Sequence, residues 1–454
     1  MPLVKLLEHA VVINDDAEET GGAAAIALAS VRLLRQRGVR VTVLSGSGGG
    51  TALRSMGADT IALGGMHIMQ GGRTAAAFRG LYDRGIAVTV ARWIAANDTP
   101  GTIYHLHNWH KVLSPSVFRA LRPIANRLFV TAHDYFLICP NGGYFRYPRR
   151  SICELVPGSA RCLAADCDRR HYVHKLWRAL RHEMRRALFD LSGSQADVLL
   201  VHDGMLPHFR RAGIPHQRMQ VLRNPVSGWR STRIKAEENR DVFYVGRVEA
   251  DKGVDLLARA AARAGVRLRV IGSGPLEQQV RRENGTADLL GWRSREQIAA
   301  LVRDARMLVV PTRWRETFGL VAVEALLSGI PVITSRFSLI SDEIVRLGFG
   351  LSCDPYDELA LAEAISLLRH DDALVREMSR RAYSGARVLA PTAEEWCDAL
   401  LRIYENKLQS PPQPETAMTS ACENSGQFPK PRSPVAAIDH ASGHAALETR
   451  DARF

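Results

Sequence analysis

Short apolar runs closed by polar or glycine turns recur along the chain, and a stretch with helical spacing follows most of them. "HAVVIND" (9–15) is the first of these runs. A continuous apolar segment of this length is the pattern of a strand buried on both faces of a parallel sheet. The turn Thr20-Gly21-Gly22 comes next, then "AAAIALASVRLLRQRG", then "VRVTVLS" (39–45). Together they predict a βαβ unit with parallel strands and a right-handed crossover. "TIYHLH" (102–107), "RLFVTAH" (127–133) and "DVLLVHD" (197–203) continue the strand series. The pattern fails over 221–240, where Pro, Gly, Ser and charged residues carry no apolar period, and a linker is expected there. It restarts with "DVFYVGR", "RLRVIGSG", "RMLVVPT" and "PVITS". Two α/β domains are therefore expected, over 1–220 and 241–390, with a further amphipathic helix over 391–408. The remainder, 409–454, is rich in Pro and Ser and poor in large apolar residues, so disorder is expected.

A length of 454 residues suits two domains with additions, and 46% hydrophobic with 24% charged residues suits a soluble globular protein. No apolar run reaches bilayer-spanning length, and the first residues read as a strand instead of an export signal, which predicts a cytoplasmic protein. The formal net charge of +13 calls for a polyanionic partner or surface. The arginines are spread through both halves and no nucleic-acid-binding signature is present, so nucleic acid is not expected. An anionic phospholipid surface or a phosphorylated lipid carrier fits the charge at least as well, and a basic solvated surface with no partner is the remaining reading. One segment bears on this, "HKLWRALRHEMRRALF" (174–189). It sets Leu176, Leu180, Met184 and Leu188 on one helical face and Lys175, Arg178, His182 and Arg185 on another. Either the basic face rests on an anionic membrane, or the helix packs in a core with its basic face solvated.

In open parallel sheets, ligands bind beyond the carboxyl ends of the strands. "YVGRVEADKG" places Arg247 and Lys252 at such an end, where two cations suit a diphosphate. The glycines of "VIGSGP" (270–275) either let a ligand approach the backbone or make a tight strand-to-helix turn. In "RWRETFGLVAVEALLSGIPVI" (313–333), Gly319 opens a helix that Gly329 and Pro331 stop. Open amides at that helix start suit phosphate. Glu316 precedes the helix, placed to accept hydrogen bonds from sugar hydroxyls. Glu324 lies two turns along, placed for a ribose diol, and Val321, Val323, Ala325 and Leu326 surround it. A carboxylate buried there requires a partner.

"GRVEADKG", "VIGSGP", "LLGW", "VVPTRWRETFGLVAVEAL" and "SGIPVI", in this order and spacing, resemble the donor half of retaining GT-B glycosyltransferases. Within that group the chain is similar to family 4, the glycosyl transferases group 1, over most of residues 9–408. The resemblance implies an α/β fold of GT-B architecture, with two Rossmann-like domains whose parallel sheets face each other across a cleft. It implies a nucleotide-sugar donor, a glycan or lipid-linked acceptor, retention of configuration, and a place in polysaccharide or surface-glycan synthesis. Arg247 and Lys252 would hold the pyrophosphate, with Gly319 and Leu320 at the helix start. Glu324 would meet the ribose, Glu316 the donor sugar, and backbone around Leu290 and Gly291 the base. From the first domain, Gly21 and Gly22 would approach the diphosphate, and His133 would be the active-site histidine. His107, Asn108 and His110 are acceptor-side candidates. No catalytic metal or other cofactor is implied. Where the family carries Gly-Gly-x-x-Glu, this chain has "SRFSLISDEIV" (335–345), with Glu343 standing for the acid. A sugar-nucleotide epimerase or hydrolase of the same fold is the alternative, and a nucleic-acid-binding protein, suggested by charge alone, is a third.

Seven cysteines, an odd count without an export signal, argue against a disulfide framework. Cys139, Cys153, Cys162 and Cys167 gather in a loop-rich insertion at about 139–170, of a kind found in a bacterial subset of the family. A structural zinc, reduced thiols and a redox disulfide are the three readings of that cluster.

Overall fold

The computed structural model describes residues 6–410, so the tail expected to be disordered lies, from 411 on, outside the described residues. The first domain opens with β1 (His9–Asn14), β2 (Arg40–Ser45), β3 (Asp59–Ala62), β4 (Thr102–Leu106) and β5 (Leu128–Ala132). A short antiparallel hairpin follows, β6 (Phe145–Arg146) with β7 (Ser151–Ile152). β8 (Asp197–Leu200) and β9 (Met219–Val221) complete a parallel sheet in the order β3-β2-β1-β4-β5-β8-β9. The second domain holds β10 (Asp241–Val245), β11 (Leu268–Ile271), β12 (Asp288–Gly291), β13 (Ala305–Val310), β14 (Val332–Ser335) and β15 (Gly350–Cys353). They form a second parallel sheet, ordered β12-β11-β10-β13-β14-β15. These are the two Rossmann-like domains that the alternating pattern predicts. In β1, β4, β5 and β8 every residue is buried, because helices cover both faces.

Several strands stop before their apolar runs do. β5 ends at Ala132 and β4 at Leu106, leaving His133 and His107 in the exit loops at the carboxyl edge of the sheet. After β9 ends at Val221, the connector to 240 lacks regular strand or α-helix, yet it is packed and not loose. Trp229 and Ile234 are buried, and their amides donate to Ser328 Oγ at 2.8 Å and Ser328 O at 2.9 Å in the second domain. The last described helix, Ala393–Gln409, begins with a capping box of Thr392 and Glu395. It returns to the first domain, where Trp396, Cys397, Leu400 and Tyr404 join the core around Phe129 and Leu199.

The helix Tyr172–Leu188 departs from both readings of its sequence. Its cationic side is the buried one: Lys175, Arg181, His182 and Arg185 are all inside. Its leucines face out, with Val173 73%, Leu180 53% and Leu176 45% exposed. The reason is a supply of carbonyl oxygens. Lys175 Nζ donates to the carbonyls of Cys162, Leu163 and Ala165. Arg185 donates to Leu137 O at 2.9 Å and Phe189 O at 3.1 Å. Arg181 donates to Gly80 O at 2.7 Å while its guanidinium lies over the rings of Trp109 and Trp177. A buried cation is tolerable where carbonyl oxygens meet its charge, and each of these three has at least one, although Arg181 Nη2 and Arg185 Nε are buried without a partner among the described residues. Lys175, Arg181, His182 and Arg185 are therefore inside the protein and not presented to a surface.

Candidate active site

Two edges face each other at the carboxyl ends of the sheets. From the first domain, Gly22 begins the helix Gly22–Gln36, and a Cβ added there would come within 2.9 Å of Leu320 Cδ1. A side chain there would oblige the end of Leu320 to shift. Gly21, beside it, has open space where a side chain would stand. Across the same gap Thr317 Oγ1 donates to His133 O at 2.6 Å. The cleft is thus narrow where the two glycines meet the helix Leu320–Leu327.

His133 belongs to a stack of three imidazoles. Its Nε2 is 3.0 Å from His107 Nδ1, and the two rings are stacked. His107 in turn lies on His105, with ring centroids 4.0 Å apart. His105 is pinned by Tyr404 Oη at 2.5 Å and Thr131 Oγ1 at 2.6 Å, so the last described helix reaches to the floor of the site. Burial lowers the pKa of all three, that of His105 to about 3, which keeps the stack neutral. A neutral imidazole donates from one nitrogen and accepts at the other, so the His107–His133 bond couples the two tautomers: one ring donates and the other accepts. His107 Nε2 is buried without a partner.

The loop that follows β4 is organised by residues that the sequence did not single out. Asp15 is buried and accepts from the amides of Lys111, Val112 and Leu113 at 2.8 to 3.0 Å. Asn14 Oδ1 accepts from Asn108 N and Nδ2. His110 stacks on Phe136 with its Nε2 3.9 Å from Asp134 Oδ2. Burial raises the Asp134 carboxyl to about 6.

In the second domain, Lys252 Nζ lies 2.6 Å from Glu316 Oε1. Glu316 Oε2 is buried and has no hydrogen-bond partner. Gly319 caps the following helix with φ 81, a left-handed geometry that suits glycine and leaves the first amides unobstructed by a capping side chain. Gly253, after Lys252, has φ 72, and a Cβ there would strike Pro311 O at 2.0 Å. Arg247 is not gathered on this point: it pairs with Glu249 at 2.6 Å and is half exposed. The glycines of "VIGSGP" serve packing, since Cβ atoms at Gly272 and Gly274 would meet Gly246 O at 1.9 Å and Val248 O at 2.5 Å. Of the two readings of that turn, the tight strand exit is the one realised.

Glu324 has the partner its setting requires. Arg295 donates to Glu324 Oε1 and to the carbonyls of Ser227 and Gly228. Burial raises the Glu324 pKa and Arg295 opposes the rise. Arg295 follows Leu290, Gly291 and the 73% exposed Trp292 on the β12 exit. The sequence signal for it was weak, an arginine shortly after "LLGW". Glu343 is drawn elsewhere. Arg223 pairs with both its oxygens, at 2.8 and 2.9 Å, and His202 Nε2 lies 2.9 Å away. The loop lacking the two glycines is held instead by Leu339 N, which donates to Glu316 O at 2.9 Å.

Cys139, Cys162 and Cys167 are buried and Cys153 is half-buried, all as free thiols in the insertion. Among the described residues no group of three or more His, Cys, Asp or Glu side chains is arranged to hold a metal ion. The insertion is held by hydrogen bonds instead: Cys139 Sγ to Asn141 Oδ1 at 3.2 Å, and Asn141 Nδ2 to Cys167 O at 3.1 Å and Phe145 O at 2.8 Å. Burial pushes the Cys139 thiol up to about 12, so it is protonated.

Residues 229–385 match the family described as glycosyl transferases group 1. Over 153 residues the chain is 31% identical to a glycogen synthase of Mycobacterium tuberculosis, covering 31% of this chain and 37% of that protein. Over 205 residues it is 31% identical to a D-inositol 3-phosphate glycosyltransferase of Mycobacteroides abscessus, covering 41% of this chain and 44% of the relative. The chain thus spans well under half the length of these relatives. Among solved structures it resembles sucrose-phosphate synthase from Thermosynechococcus elongatus, with TM-score 0.65, 18% identity, and 88% and 98% of the two chains covered. It also resembles the Anabaena HepE protein in complex with UDP-glucose, with TM-score 0.63, 17% identity, and 88% and 99% covered. The two parallel-sheet domains are those of the GT-B fold.

Proposed function

We propose that the cleft binds a nucleoside-diphosphate sugar and transfers the sugar, with retention at the anomeric carbon, to a hydroxyl of a glycan or lipid-linked acceptor in polysaccharide or surface-glycan synthesis. One observation carries this reading. Glu316 presents a carboxylate oxygen that is buried and unpartnered among the described residues, beside Lys252 and in front of a helix that Gly319 opens without a capping side chain and whose first residue, Leu320, lies against Gly22. A carboxylate oxygen left without a donor in a cleft suits a ligand hydroxyl, and a lysine with a helix N-terminus suits the phosphates next to it. The family match over the second domain and the UDP-glucose bound by HepE support the same donor class.

In the proposed reaction the bond between the anomeric carbon and the phosphate oxygen breaks, and its electron pair leaves with the diphosphate. Lys252, the helix amides and Arg247, once released from Glu249, neutralise the growing charge. The acceptor hydroxyl attacks from the face the diphosphate leaves, and its proton passes to a departing phosphate oxygen. Neutral His133, oriented by His107, contacts the donor sugar. Glu324 takes the ribose diol when Arg295 yields its place, and the backbone at Leu290 and Gly291 meets the base.

A thermal-shift panel of nucleotide-sugars tests the donor. The preferred one, at about 100 times its Kd, should add roughly 2.7 kcal/mol of stability, and Lys252→Ala should remove the shift. Glu316→Ala and His133→Ala should each lower transfer by about 10²–10³ with melting temperature intact. Full activity in both would overturn the assignment. Nucleoside diphosphate released at the same rate without acceptor would favour a hydrolase.

A further inference from the structure

Two side chains beside His133 have polar atoms that the protein itself leaves unused. Asp134 follows His133 directly, on the exit of β5. Its Oδ1 accepts from Phe136 N at 2.8 Å, which fixes the carboxylate. Its Oδ2 takes no hydrogen bond among the described residues, and 24% of the side chain stays exposed. His110, from the loop after β4, is stacked on Phe136 with ring centroids 4.3 Å apart. Its ring nitrogens form no hydrogen bond among the described residues, and its Nε2 lies 3.9 Å from Asp134 Oδ2.

That gap is too long for a direct hydrogen bond and suits a shared partner, since one oxygen can sit about 2.8 Å from both atoms. A hydroxyl placed there gives its proton to the carboxylate and receives the imidazole N–H, so all three groups are satisfied. Burial first, and then the charges of Arg181, Lys111, Arg178 and His67, hold the His110 pKa well below 6.5, so the ring is neutral and has that one proton to offer. The neighbouring carboxylate, Asp15, has no such capacity. Both its oxygens are filled by the amides of Lys111, Val112 and Leu113.

The position of the pair decides which hydroxyl it takes. In the proposed reaction His133 meets the donor sugar, and Thr317 of the second domain holds its carbonyl at 2.6 Å. The hydroxyl that attacks the anomeric carbon turns its proton toward the departing phosphate, and a hydroxyl has only one. It therefore has none for Asp134. A second hydroxyl of the same acceptor, next to the first, does.

We propose that Asp134 and His110 form the acceptor subsite and grip a hydroxyl adjacent to the one that attacks, so that the acceptor is a sugar or other polyol with neighbouring hydroxyls and not a lone alcohol. This rests on the transferase reading given above. Asp134 orients the acceptor and takes no proton in the reaction, and it accepts fully only when ionised. Burial raises its carboxyl to about 6, the Phe136 amide and Lys111 oppose the rise, and Asp15 adds to it. His133 is neutral through burial and does not titrate there. Transfer to a polyol should therefore increase with pH through about 6.

The test compares three fates of the nucleotide-sugar chosen by thermal shift: transfer to p-nitrophenyl glycosides of glucose, galactose and mannose, transfer to p-nitrobenzyl alcohol, and hydrolysis by water. Wild type should prefer a glycoside to the lone alcohol by about tenfold or more. Asp134→Asn keeps the shape and loses the charge. It should raise KM for the glycoside and lower the ratio of transfer to hydrolysis by about tenfold, with melting temperature and nucleotide-sugar shift as in wild type. The wild-type rise of kcat/KM through pH 6 should be absent from this variant. His110→Gln, which keeps a donor, should lose less transfer than His110→Ala. Equal use of glycoside and lone alcohol overturns the proposal, as do hydrolysis without transfer to any glycoside and an asparagine variant with the wild-type ratio and pH profile. In each of these cases the donor assignment stands. Failure to turn over any nucleotide-sugar by any route instead overturns the transferase reading, and the subsite with it.

Discussion

Arg295 and Glu324 show how one side chain decides the state of another. The glutamate's own helix surrounds it with apolar residues, and burial alone lifts its pKa above 4.5. A carboxyl with a raised folded pKa keeps its proton where the unfolded chain has released it. Its contribution to stability therefore declines as pH rises from 4.5 through the folded value. Arg295 lowers that value and narrows the window. Removing it should widen the window and deepen the deficit. Arg295→Ala is thus expected to match wild type in acid and to fall behind by about 1–3 kcal/mol once Glu324 is ionised in both states. Denaturant titrations across that range check this, and a constant difference at every pH would show that Arg295 acts by packing alone.

Among the elements, the insertion helix is where burial and sequence pattern part company. Lys175 closes the carboxyl end of the helix Ala160–Ala164 through three carbonyls, the role that water or a C-cap fills elsewhere. Lys175→Met keeps the length of the stem and strands those acceptors. It should cost about 1–3 kcal/mol and speed amide exchange across 160–165, while the strands of the first sheet keep their protection. Even loss of protection across the whole domain would instead mark Lys175 as part of the global core. Such a role is invisible in a helical pattern, because periodicity reports which residues are apolar and says nothing of which carbonyls lie opposite. The strands were legible for the opposite reason. β1, β5 and β10 are continuous apolar runs that only a sheet covered on both faces can use. The site was legible where its chemistry is local: Lys252, Glu316 and Gly319 each sit in a strand exit with its own glycine or helix start. It was not legible where partners come from afar. Asp15 bonds amides nearly a hundred residues on, and Tyr404 reaches His105 from the last described helix. Glu343 matched the position of an expected acid and was claimed by Arg223 instead.

At the scale of the molecule that arginine joins the two domains. Asp203 and His202 follow β8 in the first domain, Arg223 starts the connector, and Glu343 lies on the helix Ser341–Arg346 of the second. Arg223 holds Asp203 at 2.6 Å and Glu343 through two bonds, with Leu389 O beyond. Burial pushes the Glu343 carboxyl up, but Arg223 and His202 together outweigh it and hold its pKa below 4.5. A lowered carboxyl adds stability that is complete above the unfolded value and is lost as pH falls through the folded one. The joint should therefore loosen in acid and hold at neutral pH. Thr317 to His133, Gly22 to Leu320, Arg169 to Asp251 at 3.9 Å, the Phe145–Phe337 ring pair and Arg150 over the Tyr356 ring also cross between the domains. Glu343→Gln keeps the shape and removes the charge, leaving Arg223 with Asp203 alone. The cost should be about 1–3 kcal/mol, and the radius of gyration from small-angle scattering should rise at neutral pH toward the value wild type reaches in acid. Nucleotide-sugar, which bridges the same cleft in the proposed reaction, should return the variant to the compact form. If scattering from the variant equals that of wild type at every pH, the Arg223 cluster stabilises the connector and does not set the opening of the domains.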